Sequence, residues 1–361
     1  MRTSSRSGRN VTIRDVAKES KVSATTVSIV LNDSPLARYI PAVTKTRIHK
    51  VAKKLGYRPN LFARSLRSNR SNTVGLMVFD ITDPYCTLIL RGVQSALYSA
   101  SYTPILSDVQ NERARFERYL EMLLARRIEG LIVLANWLFM DITLLADLEN
   151  DKVPCVVIGR ELDHGAVSSV IVDNELGGFL ALEHLYALGH RKVAFIRGPK
   201  ALGDSSARWR GARKFAQLRG LDINPKLTFE LPDSRDPWSG FEAAYKLTLD
   251  LTKHKRWFSA VMAFDDMSAL GVMRALAHAG ISVPSECSVI GFDDIAPAAL
   301  CTPPLTTIRQ PMEVMGALAV GIMLENLQAI PREFAAVHRK VAPELVVRES
   351  TAPLGPRSEE V

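Results

Sequence analysis

Hydrophobic positions along the chain change rhythm near residue 73. Before it, Val11 to Asn32 (VTIRDVAKESKVSATTVSIVLN) reads as two short helices joined by a tight turn. Val16 and Ala17 are the buried face of the first. In the second, Val27, Val30 and Leu31 fall at i, i+3 and i+4, while Thr25 and Ile29, also four apart, share a different face with Ala24 beside them. Thr12, with Asp15 three residues on, is placed to cap the first helix, and Ser23 the second. DSPLARY then reads as a loop. A third helix follows from Pro41 and stops at Gly56, with Ile48, Val51, Ala52 and Leu55 as its packing stripe.

From Thr73 onward, short apolar runs take over: TVGLMVF, TPILS, GLIVLA, PCVVIG, SSVIVD, KVAFIRG, SAVMAF and CSVIGFD. Helical stretches near 85–100, 112–127, 175–188, 206–219, 238–252 and 267–279 intervene. Strands alternating with helices predict parallel sheets covered by helices on both faces.

Charge divides at the same point. Of the net +8, residues 1–72 carry +13, from 16 Lys and Arg against Asp15, Glu19 and Asp33, so the remainder is acidic at −5. A basic head on an acidic body is the footprint of a polyanion partner and argues against a general membrane-surface role. No apolar run reaches the roughly eighteen residues of a membrane span. Residues 1–10 read as a disordered basic arm and not a signal peptide, and residues 351–361 as a disordered tail without a leucine heptad. Cys86, Cys155, Cys287 and Cys301 show neither C-x-x-C pairing nor zinc spacing, which predicts reduced thiols, no metal and a cytoplasmic protein.

Catalytic patterns fail. There is no G-x-G-x-x-G after a strand, no phosphate loop, no G-x-S-x-G and no H-E-x-x-H. Asp265–Asp266 and Asp293–Asp294 lie just beyond predicted strands, where open α/β sheets place ligands. Without a second cluster they read as loop caps or as acceptors for a ligand. His164, His184 and His190 read as surface residues. The chain is expected to be no enzyme and to need no cofactor.

TIRDVAKESKVSATTVSIVLN, followed by LGYRPNLFARSL and, with gaps, by most of the chain through PPLTTIRQP, resembles the lactose-repressor (LacI/GalR) family. The resemblance implies an all-α helix-turn-helix headpiece (11–58), a hinge helix and linker (59–72), and a two-lobed body (73–350). That body would be an α/β sensor like the type I periplasmic binding proteins, with parallel doubly wound sheets. Three chain crossings between lobes are expected near Val172, Gln310 and Pro331. The helix from Pro311 to about Ala329 would return to the first lobe, and APELVVRES to the second. The loop after Asn32 is about three residues longer than in the family members compared. Lys21 stands in the turn where the family usually has Gly or Asn.

As a family member the chain would be a homodimer on a palindromic double-stranded operator. Ala24, Thr25 and Ile29 would reach base edges, and Ser23, Thr26 and Ser28 phosphates. Ile29 suits a thymine methyl rather than guanine. Thr12, Asn32, Tyr57, Arg58, Asn60, Ala63 and Arg64 complete the implied DNA face. Leu66 of ARSL would wedge into the minor groove from a hinge helix ordered on DNA; an ordinary packing role in a linker is the alternative.

The same resemblance places a small-molecule effector between the lobes. Arg208 would donate to its oxygens and Asp293 accept from them. Asp173 would sit where the lobes meet, with Tyr85 as the aromatic wall and Asp266 and Asp204 nearby. Compared with a purine-binding family member, Leu202 and Asp204 replace polar ligand contacts, Arg160 and Arg235 replace two aromatic residues, and Cys86 a third. This argues against a purine corepressor and for a sugar, with an acidic or phosphorylated one suited if Arg160 and Arg235 face the cleft. Surface exposure of both arginines is the alternative. The expected function is repression of carbohydrate-use genes. The competing readings are a regulator answering to a nucleoside or other metabolite, or a sugar-binding protein without allostery.

Overall fold

The computed structural model describes residues 11–32, 34–57, 70–135, 153–160, 167–200, 202–233, 236, 238–253, 258–328 and 336–355. The basic arm, the expected hinge with Arg58, Asn60, Ala63, Arg64 and Leu66, and Arg235 lie outside the described residues. The chain forms two compact units, Met1–Ser71 and Asn72–Val361.

The first unit is three helices, α1 (Ile13–Ser20), α2 (Ala24–Leu31) and α3 (Ala42–Leu55). They close on Val16, Ala17, Val27, Val30, Ile48 and Ala52, the stripes that the periodicity marks. Thr12 N–H donates to Asp15 at 2.8 Å, and Ser23 Oγ accepts from Thr26 N–H at 3.0 Å, so both helix starts are capped locally. Lys21 takes φ +53 in the turn, a left-handed conformation that side chains other than Gly and Asn adopt at some cost. The DSPLARY loop is not irregular: Pro35–Tyr39 is a 3-10 helix whose first turn is capped by Ser34 Oγ.

The second unit holds two six-stranded sheets. The first contains β1 (Thr73–Val78), β2 (Thr103–Asp108), β3 (Gly130–Leu134), β4 (Cys155–Ile158), β5 (Ser168–Val172) and β11 (His338–Val341), in the order β11-β5-β4-β3-β1-β2. The second contains β6 (Val193–Arg197), β7 (Thr228–Glu230), β8 (Ala260–Met262), β9 (Ser288–Asp293), β10 (Thr306–Arg309) and β12 (Glu344–Val346), in the order β12-β10-β9-β8-β6-β7. All described pairings are parallel except β12 on β10. Both faces are covered, which is why β1, β3, β4 and β9 read as unbroken apolar runs. On the first sheet the two layers are α4 (Pro84–Ser99) with α11 (Met312–Gln328), and α5 (Arg113–Ala125). On the second they are α6 (Asn174–Ala187) with α7 (Gly203–Arg219), and α8 (Ser239–Thr252) with α9 (Asp266–His278) and the short α10 (Ala296–Leu300).

The chain crosses between lobes at Asp173 and at Gln310–Pro311, as expected. The third crossing is corrected from Pro331 to Ala342–Pro343, because β11 first pairs with β5 in the first lobe before β12 pairs with β10 in the second. β11 (HRKV) is a polar, largely exposed edge strand held by backbone bonds, so it carries no apolar signature. The tail expectation is corrected for Thr351–Gly355. Leu354 N–H donates to Leu188 O at 2.8 Å, and Ala352 N–H to Ser288 Oγ at 3.1 Å. His190 is likewise no surface residue: it is 2 % exposed, between the Ser259 and Ser288 hydroxyls and Ala352 O.

Helix α11 reaches α4 through paired glycines. A Cβ on Gly92 would overlap the Glu313 carbonyl, and one on Gly316 the Ile89 carbonyl. Backbone, not a flexible side chain, blocks the space. Gly92→Ala is therefore expected to lower stability by about 2 kcal/mol through overpacking. Gly321→Ala, on the same helix but with nothing within 4 Å of an added Cβ, should raise it by up to about 1 kcal/mol. Urea unfolding of the two variants checks this; equal effects would show that the glycines are not a packing device.

Candidate functional site

In the second lobe a chain of polar bonds runs along the carboxyl ends of the strands. Asn174 Nδ2 donates to Asp204 Oδ1 at 3.1 Å, and Asn174 Oδ1 accepts from Arg208 Nε at 2.9 Å. Arg208 Nη1 donates to Phe264 O at 2.7 Å and Nη2 to Asp293 Oδ1 at 3.4 Å. Gln310 Nε2 donates to the same Asp293 oxygen at 2.6 Å. The guanidinium lies 3.6 Å from the Phe292 ring centroid and 4.6 Å from that of Phe264. These bonds use three of the five guanidinium N–H groups. Burial pushes Asp293 well above the usual carboxylate range, and Arg208 pulls it back only in part. Asp293 also sits at φ +113, at the end of β9.

The first lobe answers with Tyr85 and Asp83 at the start of α4. Asp83 Oδ1 accepts from Tyr85 N–H at 2.9 Å and so caps the helix. Tyr85 is half-buried, and its phenol is raised well above its ordinary pKa by burial and then by Asp204 and Asp293 of the opposite lobe. The hydroxyl would stand 3.4 Å from a Cβ on Gly159, whose φ of +91 turns the chain at the end of β4 into Arg160. Arg160 is half-buried, with Nη1 enclosed and lacking an acceptor among the described residues. Arg197, at the end of β6, is in the same condition at Nε. It stacks 4.9 Å from the Trp209 ring centroid and reaches Glu230 only at 3.6 Å. A small pocket is lined by Arg197, Ser205, Arg208, Trp209, Phe264 and Phe292, among others.

Of the residues expected at an effector site, Tyr85, Asp204, Arg208 and Asp293 are thus brought together across the lobes. Asp173 stands at the first crossing, where its Oδ1 caps α6 by accepting from Leu176 N–H at 3.0 Å. Two expectations are corrected. Asp266 is fully buried, accepting from Ile295 N–H at 2.9 Å and from the Thr307 hydroxyl, so it braces β9 and β10 from within. Cys86 is fully buried in the core under α4. Helix position explains both: Asp266 directly follows the Asp265 cap and turns inward, and Cys86, the third residue of α4, faces the core beneath that helix. Asn174, Arg197 and Gln310 were not expected at the effector site from the sequence. Arg197 did carry a signal, as a charge closing an apolar run.

In the head, Thr25 is exposed and Ser28 and Ile29 are half-buried, on the side of α2 away from the core, whereas Ala24 is half-buried and packs against it. The Ser23 and Thr26 hydroxyls share a 2.8 Å bond, and Asn32 Nδ2 donates to Ser28 Oγ at 3.1 Å. The Thr12 hydroxyl is taken by Asp15 at 2.7 Å. Tyr57 packs on the edge of the helical core.

A helix-turn-helix unit joined to a two-lobed α/β body with a polar cleft defines a ligand-responsive DNA-binding protein. The model for bacterial regulatory proteins of the lacI family matches residues 12–60, and that for the periplasmic binding protein-like domain matches residues 182–351. The HTH-type transcriptional repressor PurR of Actinobacillus pleuropneumoniae serotype 3 is 33% identical over 342 residues, covering 94% of this chain and 98% of that protein. The Lac repressor dimer bound to operator and the anti-inducer ONPF matches with a TM-score of 0.81 at 27% identity, covering 95% and 100% of the two chains. The complex of the transcriptional regulator CelR with cellobiose matches with a TM-score of 0.67 at 29% identity, covering 94% and 100%. The chain belongs to the lacI family of bacterial transcription regulators. It is a DNA-binding regulator with an effector-binding body, not a member of an enzyme family. Among the described residues no helix is long and apolar enough to cross a membrane.

Asp83 provides a test of the cleft's electrostatics. Burial raises its pKa from 3.8 to about 7, and Asp265 of the other lobe adds to the shift. A carboxyl raised in the folded state holds a proton that the unfolded chain has already released. Its contribution to stability is therefore present at low pH and lost as pH rises through about 7. Asp83→Asn keeps an acceptor for Tyr85 N–H and removes the titration. The variant's stability advantage in urea unfolding should be largest above pH 7 and close as pH falls toward 4. A gap that stays constant across that range counts against a buried, cleft-facing carboxyl.

Proposed function

We propose that this chain acts as a homodimeric repressor on a palindromic operator in the bacterial cytoplasm, and that a small polyhydroxylated effector bound between its lobes controls it. The observation that carries the effector reading is the Asp204–Asn174–Arg208–Asp293–Gln310 network, facing Tyr85 of the other lobe. It leaves two guanidinium N–H groups to donate, and Asp293 Oδ2 to accept from a ligand hydroxyl. Aromatic faces beside them suit the apolar side of a sugar ring. The cellobiose bound to CelR is a ligand of this chemistry. The enclosed, unsatisfied N–H groups of Arg160 and Arg197 further favour an effector with a carboxylate or phosphate, because a buried donor without an acceptor is costly. Relatives carrying the PurR name favour a second reading, a nucleotide-type effector.

The head reads DNA through α2, with Ala24, Thr25 and Ile29 at base edges and Ser23, Thr26 and Ser28 at phosphates. Effector binding changes the angle between the lobes and thereby the affinity for operator. By linkage, operator DNA must alter effector affinity by the same factor as effector alters operator affinity.

A thermal-shift panel of neutral sugars, sugar acids and phosphates, and nucleobases and nucleotides is the experiment that tests this. A ligand at a hundredfold above its Kd adds about 2.7 kcal/mol. Stabilisation by a sugar, weakened about tenfold or more in affinity by Asp293→Asn, is expected, since removing one partner of a buried hydrogen bond costs about 1–3 kcal/mol. Stabilisation by nucleobases or nucleotides alone rejects the carbohydrate reading. For the head, Ile29→Arg should move the preferred base toward guanine at one symmetric position in a binding-site selection. Unchanged preference would place Ile29 away from the bases.

A further inference from the structure

We propose that the Pro35–Tyr39 turn is an additional DNA-contacting element of the head, presenting Arg38 to a backbone phosphate beside the groove entered by α2; this rests on the DNA-binding reading of α2. The turn includes the extra residues of the long loop after Asn32 and is firmly built. Ser34 N–H donates to Ile29 O at 3.1 Å, which ties it to the residue placed at base edges, and Ala37 N–H donates to Ser34 O at 2.7 Å. At its end Tyr39 stands 70 % exposed. Its hydroxyl accepts from Arg38 Nη2 at 2.7 Å, and the guanidinium lies 4.7 Å from the ring centroid.

Two features set this arginine apart from a solvated surface charge. It is held in place by the phenol, so little side-chain freedom is lost when it meets a ligand. It also has no carboxylate partner among the described residues. From Ser34 to Phe79 the sequence holds ten Lys and Arg and no acidic residue. The acids preceding that stretch in the described head are occupied, Asp15 by Thr12 and Glu19 by Lys54 at 3.2 Å. A pre-positioned guanidinium in a field of strong net positive charge suits a phosphate, which it can grip with paired N–H groups.

Phosphate contacts are read from salt dependence, with no need to know operator or effector. Each phosphate neutralised contributes about 0.9 to the slope of log K against log salt concentration on duplex DNA. Binding of the full chain to a random-sequence duplex, titrated over salt, should lose about 0.9 of slope per head in Arg38→Ala. Lys54→Ala removes the same charge from the far end of α3 and should change the slope less. Tyr39→Phe keeps the ring but not the hydroxyl acceptor, and should weaken binding less than Arg38→Ala does. Equal slopes for Arg38→Ala and Lys54→Ala would overturn the contact and leave only a general charge effect. A wild-type chain without salt-dependent duplex binding would overturn the DNA-binding reading itself and the contact with it.

Discussion

Arg208 brings a permanent positive charge to a place where only 7 % of the residue meets solvent, and much of the second lobe is arranged around making that tolerable. A buried guanidinium persists only when acceptors and polarisable faces replace the water it has lost. Here they come from separate parts of the lobe: Asn174 at the start of α6, the Phe264 carbonyl after β8, and Asp293 with Phe292 at the end of β9. The backbone of Arg208 is fixed as well. A side chain on Gly178 would overlap its carbonyl, and one on Gly211 would overlap that of Glu175, so α6 and α7 touch backbone to backbone.

Two members of this network stand at chain crossings. Asn174 follows the crossing at Asp173, and Gln310 is part of the crossing before α11. A ligand that draws on Asp293 or Gln310 therefore acts on the segments through which the lobes can change their angle. The first lobe contributes Tyr85 beside Asp204 and Asp293, and Asp83 within reach of Asp265. Facing carboxyls resist closure when both are charged. A ligand that donates hydrogen bonds between them lowers that resistance only in the closed arrangement, which is the differential interaction a conformational switch requires.

The fold was legible where side chains had to be buried on both sides of a strand or on one side of a helix. The head core and eight of the strands lay in those patterns, and so did α11 on its return to the first lobe. What stayed hidden was held by backbone. β11 is paired by main-chain bonds at an exposed edge, so HRKV offers no period, and the third crossing was placed eleven residues too early. Thr351–Gly355 reads as a polar tail because its partners are His190, Ser288 and Leu188, whose bonds to it leave no trace in composition. At the site, Asp293 and Arg208 were visible by resemblance. Asp266 was misplaced because adjacent aspartates look equivalent in a sequence, whereas on α9 the first caps the helix and the second turns into the core.

The scale of these interactions suits regulation. Typical couplings between effector and DNA are about 1–3 kcal/mol, the range of a single hydrogen bond to a charged group. No large rearrangement of the hydrophobic cores is needed to supply that. In the proposed switch the sheets and their covering helices move as intact bodies, and the Arg208–Asp293 contact, at 3.4 Å the longest bond of the network, is carried within the second lobe. Specificity for one effector then lies in the groups around that contact. Among the described residues Arg160 Nη1 and Arg197 Nε are buried without an acceptor, and on the effector reading proposed above the chemistry that fills them would separate an acidic effector from a neutral one of the same shape.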